Sequence, residues 1–382
     1  MKHNRKIIYL AGFLFSIPVA LVSYINSSFL EEYVGKNYVG IIYVVASIIT
    51  IIGLSGMPKL LTRLGNRVTI ALSCFFMFMS FILLAFGENA LIVVPAFILY
   101  FISVSFIVAS LDIFMEDFSK SSSIGRSRGF YLMVISGAWV IAQLVSGSII
   151  SQSSFSGIYL FGAGFVVLIF IIFTCFLNHF QDPKYKKVSV SKTVRSFIQN
   201  KNIAKIYFSN LILQFFYAWM VIYMPIYLHE YMGFGWDKIG ITFGIMLIPF
   251  VILDFPLGKL SDRMGEKKML IAGFSIITLS TFAIPFITEP ALWVWALALF
   301  VTRIGAATIE VMNESYFFKI VSEENADEIS FFRNAPSIAY VIAPLLAIPV
   351  LFLVPSFKYI FFVLSAIMMI GLLNILRLRD VR

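Results

Sequence analysis

The chain has 382 residues; 60% of them are hydrophobic, only 13% are charged, and the mean hydropathy is +0.93. Because a soluble domain carries about 25% charged residues, this composition excludes an ordinary soluble protein and predicts that lipid surrounds most of the chain. The formal net charge is +9, but the basic residues stand in short clusters between long apolar runs. That distribution indicates membrane topology rather than nucleic-acid binding.

Twelve apolar runs follow one another along the chain, each close to the length of about 20 residues that a membrane-spanning helix needs. We number them spans 1 to 12 and predict them at 7–28, 38–57, 68–86, 91–115, 129–150, 157–178, 203–228, 237–257, 269–287, 291–315, 331–353 and 357–376. The first run follows a basic start, as in a signal peptide, but it is longer than a signal core of about 7–15 residues. We therefore expect it to be retained as span 1.

A polar and basic stretch separates spans 1 to 6 from spans 7 to 12. We accordingly predict an N-terminal six-helix bundle at 1–178, a cytoplasmic basic linker at 179–202 and a C-terminal six-helix bundle at 203–382. Six spans in each half place both ends of the chain on the same side of the membrane.

The lysines and arginines predict which side that is. If the N-terminus lies in the cytoplasm, the outer loops receive only Lys36, Lys238 and Lys358, and the other lysines and arginines lie inside, apart from Arg303 within span 10. Basic residues accumulate in cytoplasmic loops, so we expect a multi-pass protein of the plasma (inner) membrane with both termini in the cytoplasm.

The two halves of the chain repeat each other. Four segments of the first half recur in order in the second half, at offsets of roughly 200 residues. The matched pairs are FLEEYVG at 29–35 with YLHEYMG at 227–233, PKLLTRLGNR at 58–67 with GKLSDRMGEK at 258–267, Asp112 and Glu116 with Glu310 and Glu314, and AWVIAQL at 138–144 with AYVIAPL at 339–345. This order predicts a parallel duplication of a six-helix unit, which is one known layout of membrane transporters.

The sequence GKLSDRMGEKK, between spans 8 and 9, resembles the loop signature of the major facilitator superfamily, G-x-L-x-D-R-x-G-R/K-R/K. Gly258 permits a close helix approach, Asp262 and Arg263 supply charges at the membrane surface, and Gly265 allows the chain to turn. Lys267 supplies a basic residue at the end of the signature. Together with the twelve runs and the duplication, the resemblance covers the whole chain.

The resemblance implies an all-α membrane protein with the fold of the major facilitator superfamily, in which twelve helices form two pseudo-symmetric six-helix bundles. It also implies secondary active transport by alternating access, driven by an ion gradient, which we expect to be one of protons, and without a cofactor. The drug:proton antiporter type with 12 helices is the most similar subtype.

Two features depart from the family pattern. The first copy of the signature has Pro58 and Thr62 in place of glycine and aspartate, although it keeps Arg63 and Gly65. Span 5 keeps small residues at the spacing of an antiporter pattern, but Gln143 stands where that pattern has proline. Small residues also let membrane helices pack closely, so either packing or an export signal explains them.

Ionisable residues inside the hydrocarbon are costly and mark functional sites by default. In span 10, Glu310 and Glu314 lie one turn apart towards the cytoplasmic end, and Asp112 and Glu116 repeat this arrangement in span 4. We interpret them as gate carboxylates that pair with the signature arginines, an interpretation that the family resemblance supports. Solvated helix ends and proton carriage are the two alternatives.

The gate hypothesis predicts two specific ion pairs. Arg263 would pair with Glu310 or Glu314, and Arg63 would pair with Asp112 or Glu116. These pairs would hold the outward-open state and break when the cytoplasmic side opens.

Arg303 lies about twelve residues into span 10, near the middle of the membrane at about 1.5 Å per residue. Three roles remain open for it: it binds an anionic group of the substrate, it pairs with a protonatable carboxylate such as Glu310, or it forms a structural ion pair with a neighbouring helix. Asp254, in span 8, is expected nearer the membrane surface, in a structural role.

The family resemblance implies a substrate path between the two bundles. Span 7 carries Asn210, Gln214 and Tyr217 on one face, and span 5 carries Trp139 and Gln143 one turn apart. A polar stripe facing lipid would be unfavourable, so these side chains line the path or satisfy polar groups within the bundle. The expected path is aromatic with few hydrogen-bonding groups, which favours amphiphilic or aromatic solutes.

We therefore predict a secondary transporter that exports small amphiphilic solutes against proton entry. The alternative is an importer of a polar nutrient or metabolite, such as a sugar, an organic anion or an amino acid. We expect the lipid bilayer and a small-molecule substrate as partners, no nucleic acid, and a monomer.

An enzyme is not expected. The three histidines fall at or beyond the ends of the apolar runs, and the two cysteines, Cys74 and Cys175, lie inside them. This arrangement offers no catalytic residues, no metal-ligand spacing and no phosphate-binding glycine loop.

Overall fold

The computed structural model describes residues 2–117, 124–176, 200–320, 332 and 334–378, in which helices are joined by short turns and loops and no strand occurs. The α-helices are α1 (Lys2–Ser23), α2 (Asn26–Val34), α3 (Lys36–Phe86), α4 (Ala90–Asp117), α5 (Ile124–Phe176), α6 (Lys201–Ile226), α7 (Trp236–Met264), α8 (Glu266–Ala283), α9 (Leu292–Ile320), α10 (Ala335–Leu353) and α11 (Ile360–Leu376). A π-helix (Tyr227–Tyr231) extends α6, and 3₁₀ turns follow α8 (Ile284–Phe286) and precede α11 (Phe357–Tyr359).

These helices form the twelve predicted spans, so the predicted fold class is confirmed. Span 1 is the pair α1 and α2, bent by 40° where they meet. The helix α3 is interrupted at Gly65 and holds spans 2 and 3, and α5 is interrupted at Ser154 and holds spans 5 and 6. The helix α4 is span 4, and α6 to α11 are spans 7 to 12.

The length and composition of the helices fit a membrane. Ten helical stretches are long and apolar enough to cross one, or eleven with the bent pair. One of them, Met133–Thr174, has 42 residues and is long enough for two crossings. Many large apolar side chains are exposed, including Leu91 at 88% and Leu353 at 83%, as expected where lipid is the solvent.

The backbone repeats between the halves at the matched segments. Gly35 and Gly233 have φ of 77° and 67°, and Gly65 and Gly265 have φ of 75° and 80°. Glycine adopts such values without the steric cost that a Cβ atom imposes. A glycine with positive φ therefore follows both span 1 and span 7, and another stands at the break before span 3 and before span 9.

The chain divides into two compact units. The first unit holds spans 1 to 6 together with Gly235–Gly244, which is the start of span 8. The second unit holds spans 7 and 9 to 12 and the rest of span 8 from Ile245 onward. Of the linker predicted at 179–202, only 200–202 lie within the described residues, where Asn200 caps α6 through its side-chain oxygen.

Glycines set the closest helix approaches inside each unit. In the first unit, a Cβ atom on Gly240 would lie 2.8 Å from the carbonyl oxygen of Gln143. In the second unit, a Cβ atom on Gly305 would lie 2.8 Å from the carbonyl oxygen of Gly273. Small residues permit such contacts between membrane helices, and the second one places span 10 directly against span 9.

Candidate substrate and proton site

Span 7 is the most enclosed of the described spans. In its most apolar 18-residue window 83% of the residues are buried, against 22% in span 11. Polar side chains on such a helix face protein rather than lipid, and they need partners within the second unit.

Tyr217 of span 7 finds its partner on span 10. Its hydroxyl donates a hydrogen bond of 2.7 Å to Oε2 of Glu310. Both side chains are partly buried, and the ring of Tyr217 also packs edge-on against Phe250 of span 8. Tyr217 and Glu310 therefore join spans 7, 8 and 10 at one point.

Arg303 is the most deeply buried basic residue of this site, with 1% of its surface exposed. Its Cζ atom lies 5.0 Å from the ring centre of Phe216 and 5.7 Å from that of Tyr217. Aromatic faces attract a guanidinium at such distances. Arg303 therefore lies beside two aromatic rings, and it is within electrostatic reach of Glu310.

A second carboxylate, Asp254 of span 8, belongs to the same cluster. It is partly buried and within electrostatic reach of Glu310 and Tyr217. The sequence predicts a structural role near the membrane surface for Asp254, and this stays a prediction; its proximity to Glu310 was not predicted, because depth along one helix does not reveal which neighbour the side chain faces. The cluster thus contains two carboxylates for one guanidinium.

Two further polar residues of span 7, Ser209 and Asn210, make hydrogen bonds within the second unit. Ser209 donates to Oδ1 of Asn313 on span 10 at 2.7 Å. Asn210 donates to the carbonyl oxygen of Phe332 at 3.5 Å. Gln214 is partly buried and lies between Asn210 and Tyr217 in the sequence of span 7.

The residues predicted in span 5 lie in the first unit. Gln143 is 1% exposed and donates through Nε2 to the carbonyl oxygen of Ala20, next to the bend in span 1. This bond satisfies a backbone acceptor where the helix is interrupted, which is a structural use of the side chain. Trp139, one turn earlier, is partly buried.

A family profile described as the Major Facilitator Superfamily matches residues 8–252 and 206–382. The chain belongs to the Major Facilitator Superfamily. It is therefore a multi-pass membrane transporter, and the expectation that it is not an enzyme is confirmed. A search of curated protein sequences finds no match.

Two solved structures of transporters have a similar fold. The POT family transporter PepTSo superposes with a TM-score of 0.81 at 8% identity, over 98% of this chain and 97% of that one. A D-xylose-proton symporter superposes with a TM-score of 0.77 at 14% identity, over the same shares of the two chains. At such identities the likeness is one of fold.

The structure describes the side chains of only some residues of the signature loop between spans 8 and 9. Gly258 is partly exposed, Gly265 makes the turn at φ 80°, and Lys267 is partly buried at the start of span 9. The side chains of Asp262 and Arg263 lie outside the described residues, so the predicted pairing of Arg263 with a span 10 carboxylate stays a prediction.

The first copy of the signature gives a similar result. Arg63 is exposed and Gly65 interrupts the helix, whereas the side chains of Asp112 and Glu116 lie outside the described residues. Arg67 donates through Nη2 to the carbonyl oxygen of Thr174, at the end of span 6. In the first copy of the signature, the structure therefore gives a side-chain hydrogen bond for Arg67, which joins span 3 to span 6.

One buried acidic residue was not among the predicted site residues. Glu266, directly after Gly265, is 1% exposed and is bonded to span 10. A sequence signal exists for it, because Glu266 is an acid where the signature has lysine or arginine. Glu314, which was predicted, is partly buried.

The described residues contain no group of three or more histidine, cysteine, aspartate or glutamate side chains that could hold a metal ion. The chemistry that the described cluster can perform is the binding of a proton or of a charged substrate group, by Glu310, Asp254 and Arg303.

Proposed function

We propose that this transporter is a proton-coupled secondary transporter that works by alternating access and exports small amphiphilic solutes. The observation that carries the proposal is the cluster of the buried Arg303 with the partly buried Glu310, Tyr217 and Asp254 in the second unit. In this proposal Glu310 is the group that binds and releases the coupling proton.

The charges of the cluster support proton binding. One guanidinium and two carboxylates have a net charge of −1 when all three are ionised, and one proton brings the cluster to zero. Charge inside the hydrocarbon is costly, so taking up or losing this proton changes the stability of any state that encloses the cluster. A ligand or proton shifts a conformational equilibrium only through such a difference between states.

The surroundings of the cluster support an amphiphilic solute. Phe216, Tyr217 and Phe250 present aromatic rings there. The hydroxyl of Ser209, Nδ2 of Asn210 and Oδ1 of Asn313 are bonded within the unit, and Nδ2 of Asn313 is the buried polar atom among them without a hydrogen bond to the described residues. A sugar would require a denser set of hydrogen-bonding groups, whereas an aromatic or amphiphilic solute is stabilised by packing on rings.

Import of a polar or anionic metabolite is the second candidate. Arg303 favours it, because a buried guanidinium can bind a carboxylate or phosphate group through two parallel hydrogen bonds. One structure of similar fold is named a D-xylose-proton symporter, and D-xylose is a polar solute.

The solute class is tested first, by the thermal stability of the purified protein with a panel of amphiphilic cations, aromatic drugs, sugars, amino acids and organic anions. A ligand at a hundredfold excess over Kd stabilises the folded protein by about 2.7 kcal/mol. We expect the largest effect from amphiphilic compounds. Stabilisation by an organic anion that is lost in Arg303→Lys, which keeps the charge but not the planar fork, would favour import instead.

Coupling is then tested in proteoliposomes with the most stabilising compound as the transported probe. We expect Glu310→Gln to abolish accumulation driven by a pH gradient, because the proton site is lost. Exchange of labelled for unlabelled probe should persist, because it needs no net proton movement. The matched control is Glu289→Gln, which removes an exposed carboxylate. Gradient-driven accumulation by Glu310→Gln at the control rate would contradict the proposal.

A further inference from the structure

Glu266 is the first residue of α8 and lies at the beginning of span 9. Its carboxylate is 1% exposed. Oε1 accepts a bond of 2.5 Å from Nζ of Lys319 and one of 3.1 Å from Oγ of Ser315, both on span 10. The start of span 9 is thus tied to the end of span 10 by an ion pair and a hydroxyl.

The charges of this pair stand in the reverse order to the signature. The position after the second signature glycine is lysine or arginine in the pattern G-x-L-x-D-R-x-G-R/K-R/K, but here it is Glu266. The positively charged partner of Glu266 is Lys319, which lies about four turns after Arg303 along span 10. In this chain the acid is therefore on the loop and the base is on span 10.

The first unit has a neutral link at the matching position. Asn66, which follows Gly65 as Glu266 follows Gly265, has no exposed surface and donates to the carbonyl oxygen of Ser110 on span 4 at 3.0 Å. In the repeat, Ser121 stands at the place of Lys319. A buried residue therefore links the third helix of each repeat to the fourth, and the second unit makes this link ionic.

Span 10 connects the ion pair to the proposed proton site. Glu310 and Asn313 bond to span 7, whereas Ser315 and Lys319, one turn apart, bond to Glu266. Because a helix transmits displacement along its axis, a movement of span 10 at Glu310 reaches Lys319 within about three turns.

We propose that Glu266 and Lys319 are a positioning pair, through which the second signature loop, residues 258–268, follows the movement of span 10. The pair makes the position of this loop depend on the state of Glu310. The dependence of the loop on Glu310 rests on the proposed function. The link between the loop and span 10 rests on the two bonds to Glu266.

The two partners are not equivalent. The second oxygen of Glu266, Oε2, is buried and accepts no hydrogen bond from the described residues, while the Lys319 side chain is 39% exposed. Removal of Lys319 leaves a carboxylate enclosed without its cation, which is strongly unfavourable. Removal of the Glu266 charge leaves a lysine that reaches water. Lys319→Gln should therefore disturb the loop more than Glu266→Gln.

The test measures the distance between spin labels by electron paramagnetic resonance, at acidic and at neutral pH. The labels are attached to Lys59→Cys and Lys268→Cys, both exposed positions, in full-length protein with Cys74→Ser and Cys175→Ser. We expect the parent protein to change the ratio of its two distance populations with pH. Glu266→Gln and Lys319→Gln should each reduce this change about fivefold or more, a coupling of ordinary size.

Variants that restore the pH response distinguish a positioning role of the pair from a general loss of structure. The exchange Glu266→Lys with Lys319→Glu should restore the response, and so should Lys319→Arg, which keeps the cation. Lys201→Gln, which removes an exposed lysine at the start of α6, is the matched control. An unchanged response in both single variants would overturn the proposal, as would a loss of response in Lys319→Arg equal to that in Lys319→Gln.

The outcome is distinguishable from failure of the proposed function. If Glu310→Gln and the parent protein respond equally to pH, Glu310 is not the proton group. The role of the ion pair is then tested at a single pH. Lys319→Gln should shift the ratio of the two distance populations, and Lys319→Arg should leave this ratio unchanged.

Discussion

At the scale of single residues, span 7 offers two tyrosines that differ in one bond. The Tyr217 hydroxyl donates to Glu310 at 2.7 Å. The Tyr223 side chain has no exposed surface, and its hydroxyl makes no hydrogen bond with the described residues. The pair therefore separates the contribution of a hydrogen bond from that of a buried ring.

We expect Tyr217→Phe to lower the free energy of unfolding by about 1.5–3 kcal/mol, the range for a hydrogen bond to a charged group. Tyr223→Phe should be neutral or stabilising, because it removes a buried hydroxyl that lacks a partner. Thermal unfolding of both variants in the same detergent measures the difference. Equal losses in the two variants would show that the Tyr217 bond contributes nothing.

The composition of the site was only partly predictable from the sequence. Arg303, Glu310 and Tyr217 could be singled out because ionisable and polar side chains are rare inside apolar runs. The proximity of Asp254 to Glu310 was not predicted, because spacing along one helix gives a depth and a face but not the helix that this face contacts. The same reason explains Gln143, whose partner is a backbone oxygen of span 1.

At the scale of helices, two glycines set the breaks that precede spans 3 and 9. Gly65 has φ 75° and ψ 163°, and Gly265 has φ 80° and ψ 149°. This region of backbone conformation is essentially restricted to glycine, and another residue there costs about 1–3 kcal/mol.

We therefore expect Gly65→Ala and Gly265→Ala each to destabilise the protein by about 1–3 kcal/mol. Gly56→Ala is the control, because a Cβ atom there meets nothing within 4 Å and Gly56 lies inside a helix. Alanine should stabilise that position by about 0.5–1 kcal/mol. Thermal unfolding of the three variants is the measurement, and a loss in Gly56→Ala as large as in the other two would contradict the argument.

The ends of the helices were predictable from the sequence only where a glycine or a polar cluster marks them. Span 1 was expected to end at 28, but it bends at Tyr24 and Ile25 and continues to Val34. Neither residue at the bend is a glycine or a proline, which are the usual local signals. The bend is instead accompanied by the tertiary bond from Gln143 to Ala20.

At the scale of the whole molecule, twelve spans were predictable because lipid forces every crossing to be long, apolar and helical. The duplication was predictable because the matched segments repeat the same glycine turns. The assignment of Gly235–Gly244 to the first unit was not, since it depends on the approach of Gly240 to the backbone of span 5. Contacts between helices far apart in sequence leave no periodic signal in either one.

The orientation of the whole molecule gives the last prediction. Basic residues place the signature end inside and leave only Lys36, Lys238 and Lys358 outside. In protein with Cys74→Ser and Cys175→Ser, we expect a membrane-impermeant maleimide to label Lys238→Cys in intact cells. It should label Lys268→Cys only after the membrane is made permeable.

Both lysines are exposed, so a difference in labelling reports the side of the membrane rather than burial in the protein. They also lie 30 positions apart at opposite ends of span 8 and its following loop, so a single crossing separates them. Labelling of Lys268→Cys but not Lys238→Cys in intact cells would invert the topology. Inversion would place the Glu266–Lys319 pair and both signature loops outside, and it would reverse the proposed direction of the gate.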